Sequence, residues 1–284
     1  MHRFRLIVGC VALGVALTGA ACSSGGGDPA AKNPKAAVTA APQKTGSGTV
    51  KMSLSLKSTA NTAGLSGHGA YDFDKKEGRV TLTTQQGVAA DVIITPSISY
   101  LKLPQNTNKD QPWVGVPTKA SGEVVAGSPE ATIRDYVKSI RDQLDPRTTL
   151  TVLAATVVNP KKVGTATIRG EKTTHVKGRV DLSEKSINKA PAEQRDSLRE
   201  TAKSLPDGYP IELWFDHDGR VRRVEYDLAS GTGAQAQQTT FRLDLFDFGG
   251  RTGITVPPKA QVGDATSLFP TTTAPATTTT IKKK

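Results

Sequence analysis

The sequence predicts an antiparallel α+β domain, and three observations carry that reading. Apolar and polar residues alternate over many short runs, the pattern of half-buried strands. Turn signals such as Lys75-Lys76-Glu77-Gly78 and Asp218-Gly219 separate those runs at hairpin spacing. Only two or three segments change to the helical period. Roughly ten strands in sequential hairpins with a few inserted helices make an α+β order.

The elements follow in turn. Thr49–Ser58 puts Met52, Leu54 and Leu56 on one side and Lys51, Ser53, Ser55 and Lys57 on the other. Gly69–Asp74 and Arg79–Thr84 form a hairpin around the lysine turn. Val88–Thr95 and Ile98–Leu103 are two more strands, and Trp113 stands near the start of another. The first helix begins at Ser128, a capping residue, followed by Pro129 at the first helical position and Glu130 in the first turn. Ile133, Tyr136, Val137, Ile140 and Leu144 fall on one helical face, and Asp145-Pro146 ends it. Leu150, Leu153 and Ala154 suggest a short second helix. From Lys162 the period returns to two, with a turn at Gly170. A more polar helix over Ala192–Leu205 turns Leu198, Ala202 and Leu205 inward. A hairpin over 211–228 and a long strand over 239–248 complete the sheet, which Val256-Pro257-Pro258 is expected to close.

The two ends read differently. Arg3 and Arg5 precede an apolar run, Leu6–Leu17, which suits a signal-peptide core and is short of the ~20 residues of a membrane span. Gly19-Ala20-Ala21-Cys22 resembles a bacterial lipobox, in which the cysteine is acylated and becomes the first mature residue. Gly19 stands where leucine is usual, and the other reading is an ordinary cleaved signal that leaves Cys22 a free thiol. Cys10 lies within the signal, so the mature chain has no partner for an intramolecular disulfide. The expected organisation is a signal peptide over 1–21, a lipidated Cys22 with a flexible tether over 22–48, one domain over 49–269, and a disordered Thr/Pro-rich tail over 270–284.

The net charge is +11, or +9 once Arg3 and Arg5 are removed. The cations are scattered, with no basic helix or aromatic-interleaved patch, so nucleic acid is not the expected partner. Anionic head groups or wall polymers, or simply solvent, suit such a surface.

Candidate chemical motifs resolve into turns. Asp216-His217-Asp218-Gly219 lies between two alternating strands and reads as a hairpin turn rather than a metal site. Asp247-Phe248-Gly249 copies a kinase triplet by letters only. His68 and His175 are isolated. There is no G-x-S-x-G, no P-loop and no HExxH. No catalytic residue, metal site or cofactor is expected. The apolar residues remain: Leu54, Leu56, Val92, Ile94, Phe215, Tyr226 and Leu243 on strands, with Ile133, Tyr136, Val137 and Ile140 on the helix. They form either an ordinary packed core or the lining of a cavity between sheet and helix.

The stretches SISYLKLP, LDPRTTLTVLAATVVNPKKVGTATIRGEKTTHVKGRVDL, PIELWFDHDGRVRRVEYDL and DLFDFGGRTGITVPP resemble the actinobacterial LppX/LprAFG lipoproteins, whose fold is related to LolA and LolB. That resemblance implies a curved antiparallel half-barrel sheet with helices covering the concave face, and an apolar cavity lined by the residues just named. It implies a membrane-anchored lipoprotein that binds an acylated lipid or glycolipid and carries it through the cell envelope. Its partners would be that lipid, the plasma membrane through the Cys22 anchor, and an envelope transport protein. Its place is the extracytoplasmic face of the cell membrane. The alternative is a regulatory or interaction lipoprotein with a filled core.

Overall fold

In the computed structural model, alternating residues of β1, Thr49–Ser58, set the pattern for the whole sheet. Val50, Met52 and Leu54 face the core; Lys51, Ser53 and Ser55 face the other way. The structure describes residues 28–264, apart from 60–63, 85, 105, 107, 120–127 and 231–236. Cys22, the signal segment and the tail over 270–284 lie outside the described residues.

β1 is central. On one side it pairs with β2 (Leu65–Asp72), followed outward by β3 (Glu77–Thr84), β4 (Gly87–Ile94), β5 (Ile98–Lys102) and β6 (Trp113–Pro117). On its other side lies β11 (Gln237–Phe246), then β10 (Val221–Ser230), β9 (Tyr209–Phe215), β8 (Glu171–Val180) and β7 (Val157–Ile168). These pairings are all antiparallel. A short strand, β12 (Val262–Asp264), joins β6 in parallel. Among the described residues the result is an open 12-stranded sheet with β12 and β7 at its two edges. The expectation that Val256-Pro257-Pro258 closes the sheet is therefore corrected: the chain continues past those prolines into β12. Both edges are guarded against further pairing. β12 is three residues long, and β7 carries Pro160, Lys161, Lys162 and two register shifts.

One face of this half-barrel carries helices. α1 (Pro29–Lys32), α2 (Pro34–Thr45) and α4 (Pro146–Thr156) cover the β7–β11 half, with Ala30, Ala37, Val38, Ala41, Leu150 and Leu153 buried against Val176, Leu213, Phe215 and Val224. α3 (Pro129–Leu144) covers the other half, with Ile133 and Val137 packed on Leu101, Val114 and Val116. Ser128 caps α3 by accepting from the Ala131 amide at 3.1 Å, as its sequence position predicts. A short α5 (Glu184–Ile187) and the polar α6 (Ala192–Ser204) lie beyond α4, and Leu198, Ala202 and Leu205 pack against the core.

The tether expected over 22–48 is corrected for its described part. Residues 29–32 and 34–45 are helical and docked. Asp28 caps α1 through the Ala30 amide at 3.0 Å and also receives the Thr174 hydroxyl of β8. Asn33 caps α2 through Ala36 at 3.0 Å. The fully buried Thr45 hydroxyl accepts from the Val221 amide at 3.0 Å. Small side chains let these helices approach the sheet and α4 closely, which is why a segment so poor in large apolar residues is nevertheless part of the core.

The opposite face is polar, and its charges are paired across strands. Arg79 grips Asp91 at 3.2 and 2.6 Å, Arg223 grips Asp244 at 2.6 and 2.9 Å, and Arg242 meets Glu225 at 2.6 Å. Three of the chain's arginines are thus held in cross-strand pairs.

Candidate lipid-binding cavity

α3 and α4 are separated by the break at Asp145-Pro146. Asp145 ends one helix and caps the next, accepting from the Arg147 amide at 2.8 Å. Each helix serves a different half of the sheet, and the apolar cluster under α4 stays separate from the two under α3. Leu54 touches the α4 cluster and the nearer α3 cluster at the seam. A cavity of about 410 Å³ opens there. β1 contributes Met52, Leu54 and Leu56; Leu65 and Leu82 come from the neighbouring strands; Tyr226, Phe241 and Leu243 come from β10 and β11; Ile140, Leu144, Pro146 and Thr149 form the helical wall.

The floor owes its shape to Gly67. In the β1–β2 register Gly67 stands opposite Leu54, and in β2–β3 opposite Leu82. A Cβ there would lie 2.9 Å from Leu54 Cγ and 3.0 Å from Leu82 Cδ2, so both leucines fold over the glycine. The rim is apolar as well. Leu56 is 39 % exposed, and it pairs in register with Leu65 and Phe241. Phe241 stacks on Tyr226 with ring centroids 4.8 Å apart, and Tyr226 meets Tyr209 at 5.1 Å. Burial pushes the Tyr226 phenol up to about 12, and raises Tyr209 also.

Of the residues expected to line a cavity, Leu54, Leu56, Ile140, Tyr226 and Leu243 stand on its wall. Val92 and Ile94 are packed under Leu144 in the cluster beside it, Ile133 and Val137 belong to the packed layer between α3 and β5–β6, and Phe215 lies deep beneath α1 and α2. The Tyr136 side chain lies outside the described residues. Sequence reading missed Met52, Leu65, Leu82, Leu144, Pro146, Thr149 and Phe241. The alternation on β1 and β11 includes Met52 and Phe241. The opposition of Gly67 to two leucines needs the register.

A second cavity of about 480 Å³ adjoins the first and shares Thr149 and Tyr226 with it. It lies between α3, α4 and α6. A broader groove of about 820 Å³ runs between α2, α4 and β7, with Lys35, Lys161 and Lys189 on its walls.

The acidic turn is a structural knot. Asp216 is fully buried. One carboxylate oxygen accepts from the Asp218 and Arg220 amides at 3.1 and 2.9 Å; the other accepts from Arg220 Nε at 2.9 Å and Arg222 Nε at 2.8 Å. Both guanidinium groups lie over the Phe248 ring, at 4.9 and 4.7 Å. Gly219 holds φ at +80°. His175 is stacked on Trp214 at 4.3 Å and bonded to Glu212 at 2.6 Å. No cluster of three or more His, Cys, Asp or Glu side chains fit to hold a metal occurs among the described residues. No described helix is long and apolar enough to cross a membrane.

No model of a known protein family and no curated protein matches the sequence. Among solved structures, the chain is similar to lipoprotein LppX of Mycobacterium tuberculosis, with TM-score 0.48 and 15 % identity over 78 % of this chain and 99 % of that one. It is similar to LprF of Mycobacterium bovis, with TM-score 0.43 and 16 % identity over 82 % and 98 %. A putative outer membrane lipoprotein-sorting protein domain from Vibrio parahaemolyticus matches with TM-score 0.26 and 9 % identity over 78 % and 93 %. These likenesses are of fold, and the first two are to mycobacterial lipoproteins of the group that the sequence resembles.

Proposed function

We propose that the chain is a membrane-anchored lipoprotein that holds an acyl chain of a lipid in the seam cavity and carries it within the cell envelope. The observation that carries this reading is the cavity itself: an apolar space between sheet and helices, with an apolar, partly exposed rim at Leu56. A methylene needs about the room of a water molecule, ~30 Å³, so 410 Å³ accepts one chain of roughly fourteen carbons. At about 0.8 kcal/mol per buried CH₂, that chain contributes roughly 11 kcal/mol before the entropy cost of association. No bond is made or broken, so the role asks for no catalytic residue. Acylation of Cys22 would keep the carrier at the extracytoplasmic face of the membrane.

Native mass spectrometry of protein purified from a lipid-containing host tests the proposal. Co-purifying lipid at one chain-equivalent per protein supports it. An apo mass that persists after incubation with long-chain lipids sinks it and favours a non-catalytic interaction module.

A further inference from the structure

The seam cavity is lined by apolar side chains apart from Thr149 and Tyr226, whereas the neighbouring 480 Å³ space carries several charged and amide groups. Its floor is apolar, with Val152, Leu153 and Leu198, but its walls carry Asp135 and Lys138 from α3 and Glu193, Gln194 and Ser197 from α6. Thr149 and Tyr226 line both spaces, so the apolar cavity and the hydrogen-bonding one lie side by side across these two side chains. An amphiphile needs this order of surfaces: a dry slot for its chain and, one step away, polar groups for its head.

We infer that the space between α3, α4 and α6 is the head-group subsite of the cavity, and that it takes an uncharged, hydroxyl-bearing head such as glycerol on a single-chain lipid. This rests on the proposed lipid-binding role. Three features set the class. Two carboxylates against one ammonium leave the walls net negative, which disfavours a phosphate or carboxylate head. Carboxylates, a hydroxyl and a carboxamide together accept from and donate to alcohol groups. The Gln194 amide nitrogen is buried and without a hydrogen-bond partner. Rotation of that terminal amide offers it a ligand oxygen, which repairs a costly vacancy. The apolar slot holds one chain by volume, so the head belongs to a single-chain amphiphile or to one chain of a larger lipid.

Calorimetric titration of the lipid-free protein with 1-lauroylglycerol, dodecyl phosphate and dodecanol tests this. All three carry a twelve-carbon chain that fits the slot. The expected order is 1-lauroylglycerol at least about tenfold tighter than dodecyl phosphate. Ser197→Trp, on an exposed position of α6, should weaken 1-lauroylglycerol about tenfold and leave dodecanol unchanged. Asp135→Asn with Glu193→Gln should bring dodecyl phosphate to within a few-fold of 1-lauroylglycerol. Equal binding of all three ligands, insensitive to Ser197→Trp, overturns the subsite while the carrier reading stands. A preference for dodecyl phosphate overturns it too. Failure of all three to bind removes the carrier reading and the subsite together.

Discussion

Replacing Leu54 with tryptophan separates a cavity from a packed core. Leu54 projects from the middle of β1 into the seam, above the bare Cα of Gly67. An indole there extends into open space and displaces on the order of three methylenes of cargo. At about 0.8 kcal/mol each, the loss is ~2.4 kcal/mol, or roughly fiftyfold in affinity. Stability should hold, because Leu54 borders the cavity and the volume an indole adds beyond leucine enters that space. Val137→Trp is the control. Val137 is buried against Leu101, Val114 and Val116, so the same indole overpacks and costs ~1–3 kcal/mol. For a domain of this size that lowers Tm by about 2–12 °C. The assay is thermal melting of both variants beside titration with a long-chain lipid. If Leu54→Trp melts as early as Val137→Trp and binds lipid like the parent, the seam is filled in solution and the reasoning fails.

Further outcomes follow from other sites. Asp216→Ala leaves Arg220 and Arg222 without their buried anion and should cost ~3–5 kcal/mol, read by urea unfolding, whereas Asp218→Ala should change stability by less than ~1 kcal/mol. Thr45→Val strips the Val221 amide of its acceptor, with an expected loss of ~1–3 kcal/mol; an unchanged urea midpoint would show that α2 is not docked. In alkali, the buried tyrosines titrate later in the folded chain than at the unfolded value of ~10. Stability should therefore be full below pH ~10 and fall as pH rises toward about 12, the value that burial gives Tyr226. Tyr226→Phe should flatten that fall in pH-dependent unfolding. Cys22→Ala should release the protein from membranes or leave the precursor uncleaved, as fractionation and intact mass would show.

Most of the sheet was legible because strand alternation is a local signal. The β9–β10 hairpin and the capped start of α3 appear where Asp218-Gly219 and Ser128-Pro129 place them. α1 and α2 are not legible because their buried residues, Ala30, Ala37, Val38 and Ala41, are small and sit in an Ala/Pro/Lys-rich run without a stripe of large apolar side chains, which is also how a linker looks. Two local signals were there: Asp28-Pro29 and Asn33-Pro34 each put a capping side chain before a proline at the first helical position. The cavity was only half legible. Periodicity assigns Val92 and Leu54 to the same kind of inward face. Whether an inward residue meets a neighbour or a void depends on where α3 stops, and on which residue β2 sets opposite it.

The docked helices change the mechanics of the proposed carrier. With helix α1 docked from its cap at Asp28, only five residues lie between that cap and Cys22, six Cα steps that reach at most ~22 Å, where a tether running to Gly48 would have allowed more. Pro29 packs beside Gly219 in the β9–β10 turn, and Phe248 of the turn after β11 lies against Arg220 and Arg222 of the same hairpin. Gly249 in turn bonds Thr49, the first residue of β1. On the proposed reading, the turn end of the sheet would be the anchored end. The exposed rim at Leu56 lies seven residues further along β1, about 23 Å away at the usual strand rise. On the proposed reading, an acylated Cys22 fixes the turn end near the bilayer and leaves the rim pointing away from it. Such a carrier suits handing its cargo outward to an acceptor. A spacer of twenty Gly/Ser residues inserted just before Asp28 would let the domain turn over. It should speed lipid uptake from the anchoring vesicle if rim orientation limits loading, and an unchanged uptake rate would refute the idea that orientation matters.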